Sequence, residues 1–340
     1  MMTPKPITVS VIVPNFNHAP YLEQRLDSIF NQTFQDFEVI ILDDASQDGS
    51  QALLQAYANH PKVSHVVINT VNSGSVYKQW SKGIGLAQGT FIWIAESDDY
   101  ADPYFLEHTV AALNAQDALG MVFTDTCKVN AQGDELGLVS ESKRIYKDLV
   151  AASNLIDAHN ATKYLLNKMI IVNASSALFR KSLLTTIDMN VLELFKNTGD
   201  VFTYLHMALH GDILFVNKPL NYMRLHGSNT TKKGKQSGAI YKDKLRLLHY
   251  YIPYFKGLPS SQADVLRFYY NNFFFSLDFK LQDSVRQNLI ALHDMGFIDD
   301  TAYAQTRRLM GTYSFVTHRG RPAFLRNYFK RVLKQTLAIN

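Results

Sequence analysis

Asp98 and Asp99 follow the apolar run from Thr90 to Ala95 after Glu96 and Ser97 and stand shortly before Pro103. A hard divalent cation takes one or two protein carboxylates and completes its shell with phosphate oxygens and water. Adjacent acids at a strand end therefore suit a cation bridged to phosphates. The same pair equally suits a turn and helix cap, where Asp is favoured. Asp43 and Asp44 end a second apolar run, Phe37 to Leu42. A carboxylate there can accept hydrogen bonds from a nucleobase edge or a ribose, or cap the helix that begins near Ser50. A third polar turn, Pro14-Asn15-Phe16-Asn17, closes the run from Thr8 to Val13.

Bringing these three turns together requires a particular scaffold. Thr8 to Val13, Phe37 to Leu42, Val63 to Ile68 and Thr90 to Ala95 read as strands, nearly continuous in apolar character. Between them Pro20 to Gln32, Ser50 to Ala58 and Lys78 to Gln88 read as helices, the first with Leu22, Leu26, Ile29 and Phe30 at helical spacing. Such alternation predicts an α/β fold with a mostly parallel sheet covered by helices on both faces. Ligands of these sheets bind outside the carboxyl ends of the strands, where all three polar turns fall. Further strands are expected over Met121 to Asp125, Ser175 to Phe179 and Ile213 to Val216, and helices over Ala161 to Lys168 and Val201 to Ala208. From about residue 238 the pattern changes to helices with aromatic stripes, over Ile240 to Tyr254, Ala263 to Leu277, Ser284 to Met295, Thr301 to Leu309 and Ala323 to Leu337. The Gly- and Lys-rich segment Thr230 to Gly238 marks a boundary between a first domain, 1–230, and a helical C-terminal domain, 231–340.

A chain of 340 residues with 46% hydrophobic and 19% charged side chains is globular and long enough for two cores. Its single cysteine, Cys127, excludes an internal disulfide and reads as a buried thiol in a reducing compartment. No basic-then-apolar leader precedes the first strand, and no run reaches the roughly 18 apolar residues of a spanning helix. A cytoplasmic protein is expected, or one bound peripherally to the inner face of the cytoplasmic membrane. The net charge of +4 hides an asymmetry: Thr301 to Asn340 holds eight Lys or Arg and no Asp or Glu, leaving −4 over the first 300 residues. That acidic front argues against nucleic-acid binding. In the tail, Phe324, Tyr328 and Val332 share one helical stripe and Arg326, Lys330 and Lys334 another. The segment 321–337 can lie on an anionic membrane surface or pack its apolar face on the preceding helices. Phe268 to Phe275 reads as core of the second domain or as a contact in a homo-oligomer.

Val11 to Asn17, Ser28 to Phe34, Glu38 to Ser46 and Gly89 to Asp99, taken in order, resemble glycosyltransferase family 2, inverting enzymes of the GT-A fold. The likeness is close over residues 7–110, looser over 110–226 and absent beyond. It implies transfer of a hexosyl or N-acetylhexosaminyl group from a nucleotide-diphosphate donor, UDP foremost with dTDP and GDP open. The acceptor would be a glycan or a lipid-linked glycan of a bacterial cell-surface polysaccharide, and the cofactor Mn2+ or Mg2+. Carried over residue by residue, Pro14, Asn15, Phe16 and Asn17 would hold the base, with Phe16 stacked on it, and Asp44 would accept a hydrogen bond from it. Asp98 would bind ribose or share the metal, and Asp99 would ligate the metal at the diphosphate. The general base would be Asp200, in Asn197-Thr198-Gly199-Asp200, taking the acceptor proton; the same residue suits an N-cap. Tyr222 to Asn229 resembles an Arg-x-His segment in which His226 would reach the metal or diphosphate.

The resemblance has departures. Gly199 stands where the family often has Glu, and Trp80-Ser81 where many relatives carry Arg-Asn ahead of the glycine matching Gly83. Lys78 would then supply the positive charge near the donor. Gln305 to Arg308 partly resembles the Gln-x-x-Arg-Trp of processive synthases, but Leu309 replaces Trp, so one sugar per visit is expected. A nucleotidyltransferase would show a Gly-rich phosphate loop after the first strand, and Pro14 to His18 has none. A non-catalytic nucleotide-sugar-binding scaffold of the same fold is favoured only by Gly199.

Overall fold

The computed structural model describes residues 7–151, 154–226 and 230–317. The described residues up to 158 and from 169 to 226 form one unit, and 159–168 with 230–317 form another.

In the first unit β1 (Val9–Asn15), α1 (Ala19–Phe30), β2 (Phe37–Asp43), α2 (Ser50–Ala56), β3 (Val63–Ile68), α3 (Val76–Leu86) and β4 (Phe91–Ile94) alternate. There follow β5 (Tyr100–Ala101), α4 (Phe105–Ala115), β6 (Leu119–Val129), β7 (Glu135–Leu138), α5 (Val139–Ser142), α6 (Ile145–Ala151) and β8 (Leu155–Ile156). The unit closes with β9 (Ala177–Arg180), α7 (Lys181–Leu184), α8 (Met189–Leu192), α9 (Gly199–His210) and β10 (Asp212–Arg224). The strands make one sheet in the order β3-β2-β1-β4-β9-β6-β10-β5, with β7 on β6 and β8 on β10. It is parallel from β3 to β4 and between β6 and β10, while β9 runs antiparallel to both of its neighbours.

Every residue of β1, β2 and β4 is buried, which is why these strands are apolar without alternation. Leu22, Leu26 and Ile29 of α1 pack into the core with Val9, Val11, Val13 and Trp93, each such side chain contributing about 1.5–3 kcal/mol. Pro14 is tolerated in a central strand because pairing of β1 with β4 has ended at Ile12–Ile94, so no ladder bond on that side is lost. Gly89 is required by close approach: a Cβ there would lie 2.5 Å from the Ser10 backbone nitrogen. In its place the N–H groups of Gln88 and Gly89 donate to Ser10 Oγ (3.1 and 2.7 Å), setting the register of β4 on β1. Cys127 is a buried thiol within β6.

In the second unit, Ala161 to Lys168 forms a π-helical turn over Thr162–Asn167 where an α-helix was expected. Its Asn167 Nδ2 donates to the Asp264 carbonyl at 2.9 Å. The segment Thr230 to Gly238, expected to mark the domain boundary, holds α10 (Thr230–Ser237) ahead of α11 (Ala239–Lys256). α12 (Gln262–Asp278), α13 (Gln282–Asp294) and α14 (Asp300–Thr317) complete the unit, α14 running eight residues past its expected end. Leu248, Tyr251, Tyr269, Phe273 and Phe274 are its core. Arg307 and Arg308 are exposed on α14, with Thr306 buried between this helix and Tyr270. The expected tail helix and the segment 321–337 lie outside the described residues. Among the described residues no helix is long and apolar enough to cross a membrane.

Candidate active site

Short hydrogen bonds tie the three turns at the carboxyl ends of β1, β2 and β4. Asn15 Nδ2 donates to Asp43 Oδ2 (2.7 Å) and to Ser46 Oγ (3.1 Å), and that hydroxyl also accepts from the Asn17 N–H (2.8 Å). Asn17 holds a left-handed backbone, φ 57°, which Asn tolerates. Phe16 beside it is 45% exposed. His18 comes next, its Nδ1 2.8 Å from Ser97 Oγ, joining the β1 turn to the acidic turn after β4.

Asp44 is buried, and its carboxylate accepts from Asn69 Nδ2 (2.7 Å), the Ser73 N–H (2.9 Å), Ser73 Oγ (2.8 Å) and Gln79 Nε2 (2.9 Å). It organises the segment 69–79, and a nucleobase reaching it must displace one of these donors. Lys78 is exposed on the first turn of α3, outside these networks.

Asp98 and Asp99 point apart. Asp98 Oδ2 lies 2.9 Å from His226 Nε2, and His18, Asp98 and His226 can each present a ligand atom within 4.8 Å of the others. Asp99 turns inward, its Oδ2 accepting from Asn173 Nδ2 (2.5 Å) and Ser175 Oγ (2.7 Å) and its Oδ1 from the Arg224 N–H (3.0 Å). Asp98 thus joins the cluster, whereas Asp99, from which metal ligation was expected, anchors the turn. Arg224 aims the arm that carries His226. Its guanidinium donates to the carbonyls of Asp98 (3.0 Å), Asn130 (3.2 Å) and Ala131 (3.1 Å) and to Gln24 Oε1 (2.5 Å), and it lies 4.7 Å over the Tyr21 ring.

The electrostatics separate these acids. Burial works against a charge on Asp98, but the His226 hydrogen bond and the nearby His18 outweigh it and its pKa is lowered. Burial, aided by His226 and opposed by Asp98, lowers the pKa of His18. A neutral imidazole and an ionised carboxylate are the ligand states that a divalent cation needs. Asp99 is pushed up to about 7 by burial and by the Asp98 charge. Glu96 is pushed up to about 8 by burial and by Asp98 and Asp99, and it accepts the Trp80 Nε1–H at 3.1 Å. Where relatives are expected to carry Arg, this chain pairs a neutral donor with a largely protonated carboxyl.

A further carboxylate stands in the first turn of α9. Asp200 Oδ1 accepts from the Val201 N–H (2.8 Å) and from the Tyr77 hydroxyl (3.4 Å).

The sequence model of glycosyl transferase family 2 matches residues 10–186, just over half of the chain. The chain belongs to glycosyltransferase family 2. Chondroitin synthase of Escherichia coli is 28% identical over 232 residues, covering 66% of this chain and 30% of that enzyme. Chondroitin synthase of Pasteurella multocida is 24% identical over 226 residues, 21% of its length. The chain therefore corresponds to a third or less of these relatives. An uncharacterized glycosyltransferase of Haemophilus influenzae is 24% identical over 254 residues, 72% of this chain and 74% of that one. Among solved structures, residues 1–349 of S. aureus TarS in complex with UDP-GlcNAc superpose with a TM-score of 0.61 at 20% identity, covering 85% of this chain and 80% of that one. That likeness establishes the shared GT-A fold.

Family 2 resemblance pointed to Asp98 and His226, and the structure brings them together. It did not point to His18, since an isolated His beside a turn carries no spacing signal. Asn173 was equally hidden, because it acts through one bond to Asp99 from a segment without periodicity. Arg224 was visible as the first residue of the Arg-x-His segment, but its role in holding three carbonyls was not.

Proposed function

We propose that this family 2 protein is an inverting, metal-dependent glycosyltransferase that moves one sugar from a UDP-sugar to a glycan or lipid-linked glycan of a cell-surface polysaccharide. The observation carrying the reading is the convergence of His18, Asp98 and His226 at the carboxyl edge of the sheet. Two imidazoles and a carboxylate are a donor set that fits a borderline cation such as Mn2+ better than the oxygen-seeking Mg2+, and it keeps positions for phosphate oxygens. A bound cation would neutralise charge on the departing diphosphate. The chain's own residues do the rest. Phe16 is exposed enough to stack on the base, and Asn15 and Asn17 fix the turn that presents it. Asp200 takes the proton of the acceptor hydroxyl as that oxygen bonds to the anomeric carbon and the bond to the diphosphate oxygen breaks, inverting the centre. UDP-GlcNAc bound to TarS and the polysaccharide synthases among the relatives support this donor and product class. A complex of a Pyrobaculum calidifontis mannosyltransferase with GDP-Man and Mn2+ supports the metal and keeps GDP open.

We assign donor binding and catalysis to residues 1–230 and an accessory role to the helical residues 231–340. Incubation with Mn2+, a panel of UDP-hexoses and UDP-N-acetylhexosamines, and acceptor oligosaccharides tests the reading by UDP release and product mass. Asp200→Asn should lower turnover about 10²–10⁴-fold with donor affinity retained. Undiminished turnover in that variant removes Asp200 as the base.

A further inference from the structure

Gly199 is the departure from the family pattern nearest the reacting groups, and the structure supplies a reason for it. A Cβ at residue 199 would lie 2.8 Å from Cδ1, Cε1 and Cζ of Tyr77. The backbone of Gly199 is not left-handed, so the ring, rather than the conformation of the chain, demands glycine. Tyr77 is 5% exposed and stands edge-on to Trp80, ring centroids 5.1 Å apart, with Trp80 held in turn by Glu96. Ser75 Oγ donates to the Phe195 carbonyl at 2.7 Å, fixing the start of α3 against the segment that leads into α9. The Tyr77 hydroxyl is thereby delivered to Asp200 Oδ1. Tyr204, one helical turn beyond Asp200, is also buried, and its hydroxyl has no hydrogen-bond partner. Asp200 itself is half-buried, and a donor aimed at its carboxylate both orients it and stabilises its ionised form.

We propose that Tyr77 is a positioning residue for Asp200, its ring seated where Gly199 leaves room and its hydroxyl setting the orientation and basicity of that carboxylate. The inference rests on the reading of Asp200 as the base. Burial, followed by the Asp200 charge, raises the Tyr77 phenol well above its ordinary range, so it remains a donor at every working pH. Asp200 faces the Tyr77 and Tyr204 phenols, and Glu96, pushed up to about 8, acts on both of these rings as well.

The test is carbon NMR of the full chain with labelled Asp carboxyls, the Asp200 signal being assigned by its loss in Asp200→Asn. Tyr77→Phe keeps the ring and removes the donor, and should raise the Asp200 pKa by about half a unit or more, because a bond that favours the ionised form is gone. Gly199→Ala, which drives a Cβ into the ring, should shift it in the same direction. Repeating the comparison in a Glu96→Gln background should leave the shift in place. An unchanged Asp200 pKa in folded Tyr77→Phe overturns the proposal. Should the shift occur while Asp200→Asn still turns over normally, the base reading fails and the Tyr77–Asp200 bond stands. Should Asp200→Asn be inactive with no shift in Tyr77→Phe, only the role of Tyr77 fails.

Discussion

His226 Nε2 lies 2.9 Å from Asp98 Oδ2 across 128 residues of chain. The approach follows from the sheet. β5, immediately after the acidic turn, pairs antiparallel with β10 through Asn221–Ala101 and Tyr222–Tyr100, and the paired tyrosine rings stack 4.5 Å apart and within 4° of parallel. Two residues beyond Tyr222, Arg224 clamps the acidic turn through the Asp98 carbonyl and the Asp99 carboxylate. The imidazole is therefore set by backbone pairing and one guanidinium.

Arg224→Met should show how much depends on that guanidinium. Three part-buried carbonyls and Gln24 would lose their donor, so a loss of about 1.5–3 kcal/mol in unfolding free energy is expected from urea titration, together with weaker Mn2+ binding. Stability within about 1 kcal/mol of wild type would mean that the clamp is dispensable.

Arg25 behaves in the opposite way. It is fully buried on the core face of α1, all three guanidinium nitrogens lack hydrogen-bond partners, and its group lies 5.0 Å over the Trp93 ring. Burial lowers its pKa to about 10 despite the Asp99 and Asp98 charges. A buried cation that makes no hydrogen bond is costly, and replacing it with an apolar side chain of similar length is often neutral or stabilising. Arg25→Met should keep or raise the denaturation midpoint; a fall of more than about 2 kcal/mol would show that its attraction to the acidic turn outweighs desolvation.

His206 supplies a pH dependence of stability. Burial, then His210, lowers its pKa from 6.5 to about 4, and its Nε2 lies 2.8 Å from Thr186 Oγ1. The unfolded chain binds this proton first, so the stabilisation is full above pH 6.5 and is lost as pH falls toward 4. Allowing for partial solvent screening, it amounts to about 2 kcal/mol. In chemical denaturation at pH 7.5 and 4.5, His206→Asn should lose less stability on acidification than wild type. Identical slopes would place the acid sensitivity elsewhere.

How much of this could be read from the sequence follows from the range of each interaction. The strand runs ending at Pro14, Asp43 and Ala95 are nearly continuous in apolar character, and their carboxyl ends marked the candidate site from local sequence alone. Which of two adjacent acids faces the cluster depends on the turn itself and on Asn173, Ser175 and Arg224, all more than seventy residues away, so the resemblance gave the metal first to Asp99 while the structure turns Asp98 toward the cluster. Asp44 looked free to meet a base because its donors Asn69 and Ser73 sit between patterned elements, and nothing local aims Gln79, at the start of α3, back at the end of β2. The π-helical turn at Thr162–Asn167 has the composition of an α-helix; its bonds to Asp264, about a hundred residues on, are invisible locally.

The most direct measurement of the central claim is calorimetric titration of UDP into the purified full chain, with and without Mn2+, for wild type, Asp98→Ala and His226→Ala. The account expects binding that strengthens at least tenfold with Mn2+ in the wild type, with that gain lost in both folded variants. Equal UDP affinity with and without Mn2+, or a full metal effect surviving in Asp98→Ala, would contradict it.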